Sequence, residues 1–72
     1  MDDCEIFEIF GRNVATFRKL KGLTLEELSE RTKINVKFLR RIENATAKRI
    51  NTNHAFLIAD GLNIKPYKLF EE

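Results

Sequence analysis

Residues 24–44 read TLEELSERTKINVKFLRRIEN, and the spacing inside this stretch decides the fold. Thr24 followed by Glu27 is a capping box, in which the hydroxyl accepts the Glu27 amide while the carboxylate reaches back, so a helix starts here. Its inner face is Leu28, with Ser29 and Thr32 as small neighbours. Lys33–Ile34–Asn35 forms a short connector, and Asn35 is a good N-cap for the helix that follows. That helix covers Val36 to about Asn44. With Val36 at 0°, Lys37, Arg40, Arg41 and Asn44 fall within roughly 40–140° and Phe38, Leu39 and Ile42 within roughly 200–300°, while Glu43 sits on the boundary. One half of the helix is core and the other is basic and polar. Ordinary amphipathic helices mix acids with bases on the wet side; here that side holds no acid, which favours a face that meets nucleic acid. The plain alternative is a solvated basic face.

Outward from this stretch the chain still reads as helical. A first helix is predicted from about Asp3 to Lys21, with Phe7, Phe10, Val14, Phe17 and Leu20 at helical spacing and Gly22 as its stop. Gly11 inside it is unfavourable by about 1 kcal/mol against alanine, so a break near residue 10 fits the pattern. A fourth helix is predicted from Thr52 or Asn53 to Gly61, burying Phe56, Ile58, Ala59 and Leu62 in some combination. A short fifth helix carries Pro66 in its first turn, where a missing N–H does no harm, with Tyr67, Leu69 and Phe70 as its apolar residues. The fold class expected is all-α, with five helices.

Composition narrows the function. Seventy-two residues make one small domain with a thin core, expected to span residues 1–72. One cysteine and one histidine leave no intrachain disulfide and no cysteine-based zinc site. No stretch approaches the ~20 apolar residues of a membrane span, and the acidic start MDDCEIFE is the reverse of a signal peptide. A reduced, cytoplasmic setting is expected. The net charge is only +2, but residues 1–9 carry −4 and residues 31–50 carry +6. A local excess of that size is the footprint of a surface that meets phosphates. No nucleophile–base pair, paired carboxylates or phosphate-cradling glycine loop is visible, so neither catalysis nor a cofactor is expected. His54 reads as a polar residue in a first helical turn and Cys4 as a frayed or partly covered thiol.

Taken in order, the residues resemble a family. The stretch FGRNVATFRKLKGLTLEELSERTKINVKFLRRIEN, residues 10–44, is similar to the lambda-repressor-like helix-turn-helix DNA-binding domains, the Cro/repressor or XRE-type group. Gly11, the Arg18–Thr24 approach, Glu26–Ser29, Ile34–Asn35, Leu39, Ile42 and Glu43–Asn44 carry the match. Residues 58–70, IADGLNIKPYKLF, look like the family's last two helices. Some positions depart from it. Lys33 stands where a glycine is common, so it would be forced to positive φ. Ser29 replaces a small alanine, and Leu25 a phosphate-contacting glutamine. Ala45 replaces the glycine after the second motif helix, leaving Asn44 as the expected left-handed stop.

The resemblance implies roles. In such domains the second motif helix lies in the major groove, which makes Val36, Lys37, Arg40 and Arg41 the expected base readers. Lys37 and Arg40 reaching phosphates instead is the alternative. Phosphate contacts are expected from Asn44, Thr46, Lys48 and Arg49, and from the amide and hydroxyl of Thr24. Arg18 and Glu43 are expected to form a structural ion pair between helices. Exposed apolar residues at the chain ends suggest a dimer contact in residues 64–72 through Ile64, Tyr67, Leu69 and Phe70, with Ile6 and Ile9 in the N-terminal extension, residues 1–9, as the competing site. The function implied is a sequence-specific, double-stranded-DNA-binding transcriptional regulator, a repressor or operon controller, acting as a homodimer on a palindromic operator. It would sit with the nucleoid, with RNA polymerase as a further partner. The rival reading is an antitoxin whose main partner is a toxin protein, and a third is a domain kept only as an interaction module.

Overall fold

The computed structural model describes residues 3–47 and 49–72. Four α-helices follow one another: α1 Asp3–Leu20, α2 Leu25–Thr32, α3 Val36–Glu43 and α4 Thr52–Leu62. Among the described residues there is no strand, and no helix is long and apolar enough to cross a membrane. In place of a fifth α-helix, Pro66–Phe70 forms a short 3-10 helix. The segment between Pro66 and the extended Glu71 is too brief for an α-helical ladder, and its turn closes from Lys68 N–H to the Lys65 carbonyl at 3.0 Å.

α1 is the spine. α3 and the 3-10 helix pack along it, and α2 and α4 pack against each other. The core joins Phe10 and Val14 of α1, Leu28 of α2, Leu39 and Ile42 of α3, Ile58, Ala59 and Leu62 of α4, and Leu69. Three apolar positions of the helical stripes fall outside it, the half-buried Phe7 among them. Leu20, at the end of α1, lies on the surface, and so does Phe56; Ala55 fills the inward place on α4 instead.

Both helical glycines mark close approaches rather than ends or breaks. α1 runs unbroken through Gly11, because a Cβ there would stand 2.0 Å from the Ile42 carbonyl oxygen of α3. Gly61 is interior to α4, where a Cβ would meet the Thr32 methyl at 2.7 Å. The helix instead ends at Asn63, which is left-handed at φ 58°, with Ile64 N–H bonded to the Ala59 carbonyl.

α3 ends in the same Schellman pattern, one residue later than the composition of its end suggests. Asn44 keeps φ −87° and Ala45 takes the left-handed place at φ 60°. The reason is the closure itself. Ala45 N–H donates to Ile42 O at 3.1 Å and Thr46 N–H to Arg41 O at 2.8 Å, a pairing that requires the second residue past the helix to be left-handed whatever its type.

Candidate nucleic-acid interface

The two helices of residues 24–44 are set by polar contacts reaching only a few residues. Thr24 Oγ1 accepts from Glu27 N–H at 3.0 Å, and the Glu27 carboxylate accepts from Thr24 N–H at 2.9 Å. Bonds to the Glu27 carboxyl from the Thr24 amide, and then from the Thr24 side chain, hold it below its usual range, since they favour the charged form. They also correct one expectation: the Thr24 amide is engaged within the protein, so it is not the open donor that a phosphate contact needs.

The turn is tied by residues that pattern reading treats only as small. Lys33 does take positive φ, at 62°, and its N–H bonds Ser29 O at 2.8 Å. Ser29 Oγ donates to the Ile34 carbonyl at 2.5 Å. Thr32 Oγ1, fully buried, donates to Leu28 O at 2.9 Å and accepts from Ile34 N–H at 3.2 Å. Both groups of the Ile34 backbone are thereby satisfied by side chains, which fixes the chain entering α3. The hydroxyl-for-alanine change at Ser29 supplies one of these ties. Asn35 completes the entry, its Oδ1 accepting from Lys37 N–H at 2.7 Å.

α3 presents two contrasting sides. Leu39 and Ile42 are fully buried, Val36 and Phe38 half-buried, and Lys37, Arg40 and Arg41 exposed. The Phe38 ring rests on the His54 imidazole at 4.8 Å, and His54 sits in the first turn of α4 in a reciprocal cap with Asn51. The acid of α3 is withdrawn from the outer side. Glu43 receives Arg18 Nε at 2.6 Å and Nη2 at 3.0 Å, a bidentate pair whose side chains are only 10% and 14% exposed respectively. The hydrogen bond to Glu43 raises the Arg18 pKa, with desolvation working against it. Arg18 Nη1 also donates to the Leu23 carbonyl at 2.9 Å, so one guanidinium joins α1, the start of the α2 loop and the end of α3.

Beyond α3, Asn44, Thr46 and Arg49 are exposed, and Lys48 lies outside the described residues. The Schellman closure folds the chain back so that Arg41 and Arg49 line one concavity with Phe38, Thr46 and Ala47. This pairing of cations eight positions apart has no periodic signal in the sequence; only the left-handed Ala45 creates it. Of the residues assigned to a dimer contact, Tyr67 and Phe70 are exposed and Ile64 is half-buried. Leu69 is corrected: it is fully buried in the core and has no surface to offer a partner. Ile9 is likewise covered, while Ile6 is partly exposed.

Chemically, this arrangement is a helix bearing three exposed cations and no exposed acid, followed by a loop with further donors. It can donate hydrogen bonds to base edges and to phosphate oxygens. Among the described residues, no group of His, Cys, Asp and Glu side chains converges to hold a metal ion.

The comparisons agree with this geometry. A solved structure similar to this chain is that of the restriction-modification controller protein C.AhdI from Aeromonas hydrophila. It matches with a TM-score of 0.84 over 89% of this chain and 96% of that one, at 23% sequence identity. A likeness at that identity is one of fold. No curated protein matches the chain. The helix-turn-helix family model matches residues 14–69, which takes in α2, α3, α4 and the end of α1 from Val14. With the match covering most of its length and both motif helices, the chain belongs to the XRE-type helix-turn-helix family.

Proposed function

We propose that the chain is a sequence-specific transcriptional regulator that binds double-stranded DNA as a homodimer on a palindromic operator. The observation that carries this reading is the outer side of α3, where Lys37, Arg40 and Arg41 are exposed and Glu43 is bound to Arg18. In helix-turn-helix proteins the second motif helix enters the major groove with its N-terminal residues at base edges. Val36, Lys37, Arg40 and Arg41 are then the readers. Lysine and arginine donate to guanine O6 and N7, and Val36 packs on a thymine methyl. Asn44, Thr46, Lys48 and Arg49 hold phosphates and fix the register of the helix on the duplex. The Thr24 hydroxyl remains in this set; its amide does not. Residues 24–44 thus form the reading unit of one domain, and the chain ends form the side that meets a second copy.

The controller protein similar in fold gives the regulator reading a precedent in a protein of nearly the same length. The experiment is selection of bound duplexes from random sequence with the purified chain. A two-fold symmetric consensus with half-sites about 10–10.5 base pairs apart is the expected result. Enrichment of no consensus, or of an asymmetric single site, would overturn it.

A further inference from the structure

The side of α1 turned away from α3 carries charge in an order that suits a second copy of the chain. Ile6, Asn13, Phe17 and Leu20 fall within about 40° of one line along the helix. The 3-10 helix lies against that line. Asn13 Nδ2 donates to the Leu69 and Glu71 carbonyls at 2.9 and 2.6 Å, and the Phe10 and Phe70 rings stack at 5.2 Å. Its cover is incomplete at both ends. Ile6 is 37% and Leu20 73% exposed, and Tyr67 and Phe70 add 57% and 47% of their own surfaces. A strip of exposed apolar residues therefore follows the direction of α1, with Ile6 and Leu20 at its ends and Tyr67 and Phe70 of the 3-10 helix between them, more than scattered single residues would leave.

The two ends of the strip are oppositely charged. At the Leu20 end, Lys21, Lys65 and Lys68 line a groove with Phe17, Leu20 and Tyr67. At the Ile6 end, Glu72 flanks Ile6, Ile9 and Phe70, and Glu71 is exposed beside it. From Ile9 to Leu20 the helix advances about 17 Å. That is about twice the Debye length of roughly 8 Å at physiological salt, so the ends do not neutralise each other within one copy.

We propose that this strip is the two-fold interface of the homodimer, with α1 of one copy antiparallel to α1 of the other and each lysine end seated on the partner's acidic end. The inference rests on the homodimer reading above and adds the surface and its register. A two-fold contact must be complementary to itself. Antiparallel pairing sets cations on carboxylates twice over, parallel pairing sets like on like, and a partner of uniform charge suits only one end. The position of α3 is compatible. Gly11, its point of closest approach, lies about 140° round α1 from Ile6, so pairing on the strip leaves both reading helices outside the contact. A standard interface takes about 800 Å² from each copy, roughly a sixth of the 4922 Å² that this chain exposes.

A charge exchange tests the register. One variant carries Lys65→Glu and Lys68→Glu, making both ends acidic; the other carries Glu71→Lys and Glu72→Lys, making the second end basic. All four side chains are exposed, and circular dichroism verifies that each variant is folded. Sedimentation equilibrium of each variant alone should show dimer dissociation weaker-bound by about tenfold or more. An equimolar mixture should recover wild-type association as a heterodimer. Wild-type-like dimerisation of either variant alone, or a mixture that stays monomeric, overturns the interface and leaves the homodimer standing. A wild-type chain that is monomeric at concentrations saturating its selected duplex overturns the homodimer as well.

Discussion

Replacing Gly11 with alanine sets a local gain against a tertiary loss. Gly11 lies in the middle of α1, where alanine is the better helix former by about 1 kcal/mol. Taken alone, the helix would gain from the change. In the folded chain the new Cβ would stand 2.0 Å from Ile42 O and 3.1 Å from Ile42 C, where ordinary contact begins at 3.4 Å. The obstacle is backbone, and the same oxygen accepts the Ala45 N–H that closes the end of α3. It has no rotamer to escape into, so α3 must withdraw by about 1 Å or more. Overpacking of this kind is unfavourable by about 1–3 kcal/mol and occasionally more. With a rigid neighbour the upper part of that range applies, leaving a net destabilisation of about 2 kcal/mol after the helical gain. In a domain of this size that lowers the melting temperature by about 8–16 °C. The displacement also pulls on the bond of 2.6 Å between Arg18 and Glu43 and tilts Lys37 and Arg41 away from their places, so DNA affinity falls too. Urea denaturation followed by circular dichroism gives the stability difference, and duplex titration gives the second effect. Gly11→Ala as stable as wild type, or more so, would mean that helix propensity outweighs the approach of α1 to α3, and the reasoning would fail.

Three further outcomes are expected. Removing either member of the Arg18–Glu43 pair, as Arg18→Met or Glu43→Leu, should destabilise by about 3 kcal/mol by stranding the other charge. The double variant should lose less than the sum by about 1 kcal/mol or more, and strict additivity in that cycle would show that the pair contributes nothing as a pair. On the selected duplex, Lys37→Ala and Arg41→Ala should each weaken binding by about 1–3 kcal/mol and relax preference at one base pair of each half-site. Arg49→Ala should weaken all duplexes alike and lower the salt slope by about one unit; the same behaviour from Lys37→Ala would demote that residue from reader to phosphate contact. Because the folded Glu27 carboxyl is held below its usual range, its stabilising contribution is present at neutral pH and is lost as the pH falls through that lowered value. Glutamine keeps the reciprocal bond without the charge, so the stability advantage of wild type over Glu27→Gln should shrink below about pH 4. An advantage that is constant across urea midpoints from pH 7 to about 3 would contradict the assignment.

What the sequence by itself determined is whatever acts over one turn of helix. The Thr24–Glu27 box, the Asn35 cap, the Gly22 stop and the division of α3 into a buried and a basic side all depend on groups within about five residues of each other, and each is where the local pattern places it. The identity of the fold followed from those features in order. Periodicity tells which side of a helix is apolar but not what fills the space opposite, and here the tertiary structure decided. Gly11 and Gly61 look like a break and an end, yet each is a place where another element comes too close for a Cβ. Leu69 and Tyr67 are both apolar residues of one short segment; the core claims the first and leaves the second on the strip beside α1. Leu20 and Phe56 continue their stripes to positions that the chain leaves more than half exposed. The site divides the same way. Its cations could be named from the helical wheel, while the pairing of Glu43 with Arg18, 25 residues away in the chain, was legible only through the family resemblance and not from any local pattern. The meeting of Arg41 with Arg49 depends on a left-handed alanine that closure of α3 imposes against its own preference. Local chemistry sets where helices begin and end, but contacts distant in sequence set which of their faces remain open to a ligand.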